Sequence, residues 1–189
     1  MANPKGAGDK WGGSVRRLLL GILLIGCFNG RTFAATDLLP NAEIQADPEA
    51  VQSILLTFDR AEKALRARSL SEIMAIYSED YQNLGLRKEE TERIWHDLFS
   101  RYRIIVSKHL FSKIVVHHDR KRADVTCTGE LRFRSRILKP GGGAEPLRIQ
   151  YWFEAVHHLV WEGGMWKIYG HDPGQTESNP SGSPVHLLF

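Results

Sequence analysis

Two histidine doublets raise the chemical question in this chain: His117-His118 in "VVHHD" and His157-His158 in "EAVHHLVWEGGMWKIYGHD", with acids close to both. Imidazoles beside carboxylates suit either metal ligation or general acid–base work. Neighbouring residues of a strand face opposite sides of its sheet, so each doublet offers at most one imidazole to a given face. A metal would require His118 and His158 to meet across strands with an acid such as Glu154. No spacing of the H-E-x-x-H kind occurs, so the expectation is no metal and no cofactor. For acid–base chemistry the candidates are Tyr77, Tyr81, Glu154 and His157. A carboxyl or imidazole shielded among aromatic rings has its pKa displaced and can act near neutral pH. Cys127 lies in the alternating stretch "ADVTCTGELRF" on the side of Ala123, Val125 and Leu131, which reads as a buried, inert thiol.

The elements that must position these groups follow from periodicity. "DPEAVQSILLTFDRAEKALRARS" sets Val51, Ile54, Leu55, Phe58, Ala61 and Leu65 at helical spacing, with Asp47 as N-cap and Pro48 in the first turn. "SLSEIMAIYSEDY" makes a short second helix, and "KEETERIWHDLFSRY" a third with Ile94, Trp95, Leu98, Phe99 and Tyr102 on one side. From "FSKIVVHHDR" onward the period becomes that of strands, through "RADVTCTGELRFRSRI", "LRIQYWFEAVHHLVWE" and "MWKIYGHD". Leu147 to Trp161 is longer than an ordinary strand and should be bent or bulged. Within it Tyr151, Phe153, Ala155, His157, Leu159 and Trp161 form the more apolar parity and should face the core. Glu154, with Glu130 on the preceding strand, should face outward. Trp152 on the polar parity would then suit a homodimer or partner surface on the outer sheet face. Residues 35–49 read as a polar lead-in, and 173–189 as a Pro/Gly/Ser-rich disordered tail.

Helices first and long antiparallel strands after them give an α+β architecture, three N-terminal helices packed on a strongly curved, mainly antiparallel sheet. Such a sheet leaves a cone whose mouth holds a small molecule. The candidate lining is Tyr77, Trp95, Tyr102, Tyr151, Phe153 and His157. No phosphate loop, serine elbow or nucleotide fingerprint is present.

The order of these elements resembles the nuclear-transport-factor-2-like, or SnoaL/ketosteroid-isomerase-like, superfamily over about residues 50–172. Tyr77, Asp80 and Tyr81 with Gly85 in the following turn, and the closing Trp166, Ile168 and Gly170, carry the likeness. The resemblance implies the cone and a pocket. The superfamily is catalytically mixed, with isomerases that use an acid and a tyrosine and dehydratases that use a His/Asp pair, so it implies little about activity.

Charge and the N-terminus bear on compartment. The chain has 189 residues with 25 basic and 22 acidic side chains, a net +3. Residues 1–26 hold Lys5, Lys10, Arg16 and Arg17 against Asp9. Subtracting those four bases and one acid from 25 and 22 leaves 21 of each. A neutral domain has no electrostatic footprint for nucleic acid. A basic segment followed by the apolar run Leu18 to Gly26 reads as a signal peptide, too short to anchor a mature chain across a bilayer. Cleavage before Cys27, in "LIGC", would give a lipoprotein acylated on Cys27. Cleavage after Ala34, in "TFA", would give a free periplasmic chain. Residues 1–34 are thus a leader and 50–172 the domain. The combined expectation is an exported, non-catalytic domain, periplasmic or on the outer membrane, that binds a small apolar molecule or an envelope protein. The alternative is a cofactor-independent isomerase or hydro-lyase working in the cone.

Overall fold

In the computed structural model the described residues are 36–119, 121–137, 141–143, 145–172 and 174–176. The leader, Cys27, both cleavage sites and the tail beyond Thr176 lie outside them. The lead-in is not irregular: β1 (Thr36–Gln45) runs parallel to β4 (Tyr102–Val116). Its register shifts between Leu38 and Glu43. Pro40 lies inside that shift, where an edge strand tolerates a residue without an N–H. Polarity hid this strand, because most of its side chains face water.

Helix α1 (Pro48–Ala67) starts where expected: the Asp47 carboxylate accepts from Ala50 N at 2.8 Å, and Pro48 opens the first turn. Its apolar stripe buries Val51, Ile54, Phe58, Ala61 and Leu65 against β4 and β7. Short α2 (Leu70–Ala75) is capped by Ser69. The β2 (Gln82–Asn83) and β3 (Leu86–Arg87) hairpin leads into α3 (Lys88–Arg101), which buries Trp95, Leu98 and Phe99. Three antiparallel strands complete the sheet: β5 (Arg122–Ser135), β6 (Arg148–Glu162) and β7 (Met165–Asp172). Gly163 and Gly164, both at positive φ (62° and 80°), make the two-residue turn between β6 and β7. A short β8 (Gln175–Thr176) pairs with β6 at Trp152 and Phe153. Among the described residues no helix is long and apolar enough to cross a membrane.

The last strand is stapled to the helices. Trp166 Nε1 donates to Ser53 Oγ at 3.0 Å, and Thr57 Oγ1 donates to the Trp166 carbonyl at 2.9 Å. The backbone bonds Ser78 N to Ile168 O and Ile168 N to Ile76 O hold Tyr77 against β7. Trp166 and Ile168 are buried, while Trp161 stays half exposed and edge-on to Trp166.

Three helices and a mainly antiparallel sheet are as expected; the strongly curved cone is corrected. Pairing runs β1-β4-β5-β6-β7 and stops at both edges, so the sheet is open rather than closed or strongly curled. Each bulge bends its own strand without bringing the edges together. The space a cone would enclose is occupied by Phe58, Tyr77, Trp95 and Trp152, each at most 2% exposed.

A second correction concerns β6. Cys127 pairs with Ala155, and Gly129 with Trp152, so one residue of β5 faces two of β6. Glu154, at φ 52°, sits in that bulge. The extra residue reverses the facing of the strand. Beyond it Ala155, His157 and Leu159 point inward as expected. Before it Gln150 and Trp152 are buried, and Tyr151 and Phe153 are each 40% exposed. Trp152 therefore belongs to the core and supplies no partner surface. Gly129 makes its place: a Cβ there would stand 2.6 Å from Trp152 Cε2 and closer still to Cζ2 and the Lys108 carbonyl. The variant Gly129→Ala should lose about 1–3 kcal/mol by overpacking, read from urea unfolding. An unchanged unfolding midpoint would show that Trp152 does not fill this space.

A buried imidazole–thiol cluster as candidate functional site

Three adjacent strands aim polar side chains at one point in the core. On β4 the inward residues are Ile105, Ser107, His109 and Phe111; on β5 they include Val125, Cys127 and Leu131. The β6 bulge turns His157 toward them. His157 stands opposite Val125 and His109 opposite Gly129, so both lie diagonal to Cys127. One donor atom from each of His109, Cys127 and His157 lies within 4.8 Å of the other two. All three side chains are buried, at 0–1% exposure.

The hydrogen bonds fix an orientation. Trp152 Nε1 donates to Cys127 Sγ at 3.3 Å, and Sγ lies 3.2 Å from His157 Nε2. A sulfur that accepts from the indole has its own proton free for the imidazole, so the S–H donates to Nε2. That places the His157 proton on Nδ1, an atom with no hydrogen-bond partner among the described residues. Aromatic rings wall the group. Phe58 lies 5.3 Å from both His109 and His157, and Trp152 lies 5.1 Å from His109. His171 stacks on His157 at 5.4 Å and 15°, and its Nδ1 accepts from Asn83 Nδ2 at 3.0 Å. Tyr81 meets Tyr77 edge-on at 4.8 Å, and the Tyr77 hydroxyl accepts from Trp95 Nε1 at 2.9 Å. Ring contacts and single hydrogen bonds thus line up from the helix side to the sheet side through the core.

Burial dictates the protonation states. It pushes the His109 imidazole down to about 3. His157 is held well below its usual value, first by burial and then by His171 and His109. The Cys127 thiol is pushed up to about 12, burial outweighing the Trp152 hydrogen bond. Tyr77 and Tyr81 are raised, again mainly by burial. At neutral pH the cluster holds neutral imidazoles, a protonated thiol and protonated phenols. That composition provides proton acceptors and donors, and it excludes thiolate nucleophilic chemistry at rest.

The other expected residues lie elsewhere. Glu154 is exposed, with Ser112 Oγ donating to its carboxylate at 3.3 Å. Tyr102 packs edge-on against Phe133, and Tyr151 and Phe153 face outward. The doublet splits as its alternation requires. His158 leaves the core and bonds Asp124 (Nδ1–Oδ1, 2.7 Å) and Asp172 (Nε2–Oδ2, 3.3 Å). Asp124 is shared with His117 rather than His118, at 2.9 Å. Sequence reasoning missed His109, because the strand was started at Phe111. The spacing Ile105, Ser107, His109, Phe111 was the available signal.

The expectation of a domain that binds without turnover is corrected by this cluster and its hydrogen-bond network. Imidazole groups cost free energy to bury, and an interior serving apolar packing alone would not set two of them beside one thiol.

No family model matches the chain, and no curated protein matches it in sequence. Solved structures do resemble it in fold. A ketosteroid isomerase-like protein from Erwinia carotovora atroseptica superposes with a TM-score of 0.51 at 14% identity, over 70% of this chain and 100% of that one. A provisionally assigned scytalone dehydratase from Novosphingobium aromaticivorans gives 0.53 at 16%, over 70% and 93%. A provisionally assigned dehydratase of the NTF2-like family from Streptomyces avermitilis gives 0.51 at 14%, over 65% and 93%.

The buried imidazoles make stability depend on acid. A folded-state pKa near 3 for His109 lies below the unfolded value of about 6.5. The unfolded chain therefore takes up the proton first as pH falls. Stability is fully present above about pH 6.5 and is lost toward pH 3, at up to about 1.4 kcal/mol per pH unit for each such site. Urea midpoints between pH 7.5 and 4.5 should fall steadily, and His109→Phe should flatten the slope. Equal slopes in the two proteins would place His109 in water.

Proposed function

We propose that the domain is an enzyme of the acid–base type, a cofactor-independent isomerase or hydro-lyase acting on a small, largely apolar carbonyl compound. The observation that carries the reading is His157, a buried imidazole with Nε2 3.2 Å from the Cys127 thiol and Nδ1 without a partner among the described residues. Proton abstraction next to a carbonyl requires a base and a donor that polarises the oxygen. His157 is the base. The Tyr81 and Tyr77 phenols, edge-on to one another in the same core, are the donors. Cys127 positions the imidazole at rest, and the proton that Nε2 takes from the substrate is returned to the substrate at its new position. Phe58, Phe111 and Trp152 supply walls that suit a ring or alkyl substrate and exclude water. Because the pair is buried, turnover requires local opening of the layer above it.

The names of the neighbours, isomerase-like and dehydratase, are of this reaction class and support the reading by analogy of fold. The leader read from Lys5 to Gly26 supports action in the cell envelope. The test is deuterium exchange of the protons next to the carbonyl of 1-tetralone in D2O, followed by NMR, with protein recovered from the envelope fraction. The native protein should accelerate exchange, and His157→Gln should slow it by about 10²–10⁴-fold. Exchange at the buffer rate in the native protein would overturn the reaction class. Recovery only as the uncleaved chain in the cytoplasm would overturn the compartment.

A further inference from the structure

The same three donors suit a ligand that acid–base chemistry does not need. His109, Cys127 and His157 come from three hydrogen-bonded neighbours, β4, β5 and β6, so the sheet ladder fixes their backbones. With metal–nitrogen and metal–sulfur bonds of about 2.0–2.3 Å, three ligands around one ion stand roughly 3.5–3.7 Å apart. The Cys127–His157 separation is 3.2 Å, and no pair of donor atoms exceeds 4.8 Å. Side-chain rotations of a few tenths of an ångström to about one ångström reach the trigonal arrangement.

Charge selects the ion. No carboxylate is among the three donors in the described residues, and Glu154, the anion felt at Cys127, stands exposed in the bulge rather than in the site. A bound ion takes the place of the thiol proton, which leaves to solvent, so the site supplies two neutral nitrogens and one thiolate. A divalent zinc ion would leave one net positive charge in a dry interior and would call for a fourth ligand. A soft monovalent ion leaves none, and thiolate with imidazole is the donor set such an ion prefers.

The geometry points to a buried binding site for monovalent copper in His109, Cys127 and His157, one ion per chain. This stands apart from the acid–base reading, since binding is read without any reaction. An ion on His157 also occupies the base, so the loaded and reacting forms are distinct.

The test uses the untagged full chain under anaerobic conditions, titrated with copper(I) against the chromophoric competitor bicinchoninate. Silver(I), read by native mass spectrometry, serves as a redox-stable second probe. The expected result is one ion per chain. Cys27→Ser should retain the affinity, Cys127→Ser should lose it at least 100-fold, and His109→Phe should weaken it at least 10-fold. X-ray absorption of the copper-loaded native protein should show one sulfur and two nitrogens, a result that needs no variant to fold. Equal binding by native protein and Cys127→Ser, dependence on Cys27, or a copper shell without two nitrogens would each overturn the proposal.

Discussion

One inserted residue in β6 governs the interior. At the bulge the strand places two residues opposite one of β5, and Glu154 takes up a left-handed backbone conformation. Inward facing passes from the even positions Gln150 and Trp152 to the odd positions Ala155, His157 and Leu159. Without the insertion, a strand keeping Trp152 in the core would turn His157 to solvent. With it, indole and imidazole both converge on Cys127, from 3.3 and 3.2 Å. A non-glycine residue at positive φ costs of order 1 kcal/mol or more. The burial of Trp152 and the bond to Cys127 offset it. Gly129 on the partner strand is the matching concession, leaving out a side chain where the indole lies.

Burying three imidazoles and a thiol is also unfavourable unless they satisfy one another. Part of the cost is met by two separate sets of hydrogen bonds. Trp152 donates to Cys127, the thiol to His157, and Asn83 to His171. The aromatic rings take up the remaining surface by edge and face contacts. Neutrality is the condition for this arrangement, and it turns a liability of folding into a reservoir of proton donors and acceptors away from water.

The large elements were legible because each carries its own period. The α1 stripe with Asp47 and Pro48 and the α3 stripe around Trp95 both formed as their residues dictate. What could not be read was non-local. β1 is mostly exposed, so it lacks an apolar alternation and exists through its pairing with β4. The length of β6 announced an irregularity, yet only the partner strand decides where the extra residue falls. Hence Tyr151, Phe153 and Trp152 were assigned to the wrong faces while His157 and Leu159 were assigned correctly. His109 and Cys127 are separated by 18 positions and meet only through the β4–β5 register. A cluster drawn from three strands has no sequence motif to find.

The arrangement requires two neutral imidazoles beside a thiol in a buried core. Long-range nitrogen–proton NMR on chelator-treated protein observes it directly, by reporting the tautomer and protonation of each histidine from pH 8 to 5. His109 and His157 should stay neutral across this range, His157 with its proton on Nδ1. Either ring titrating near pH 6.5 would mean that it stands in water, and would contradict the account.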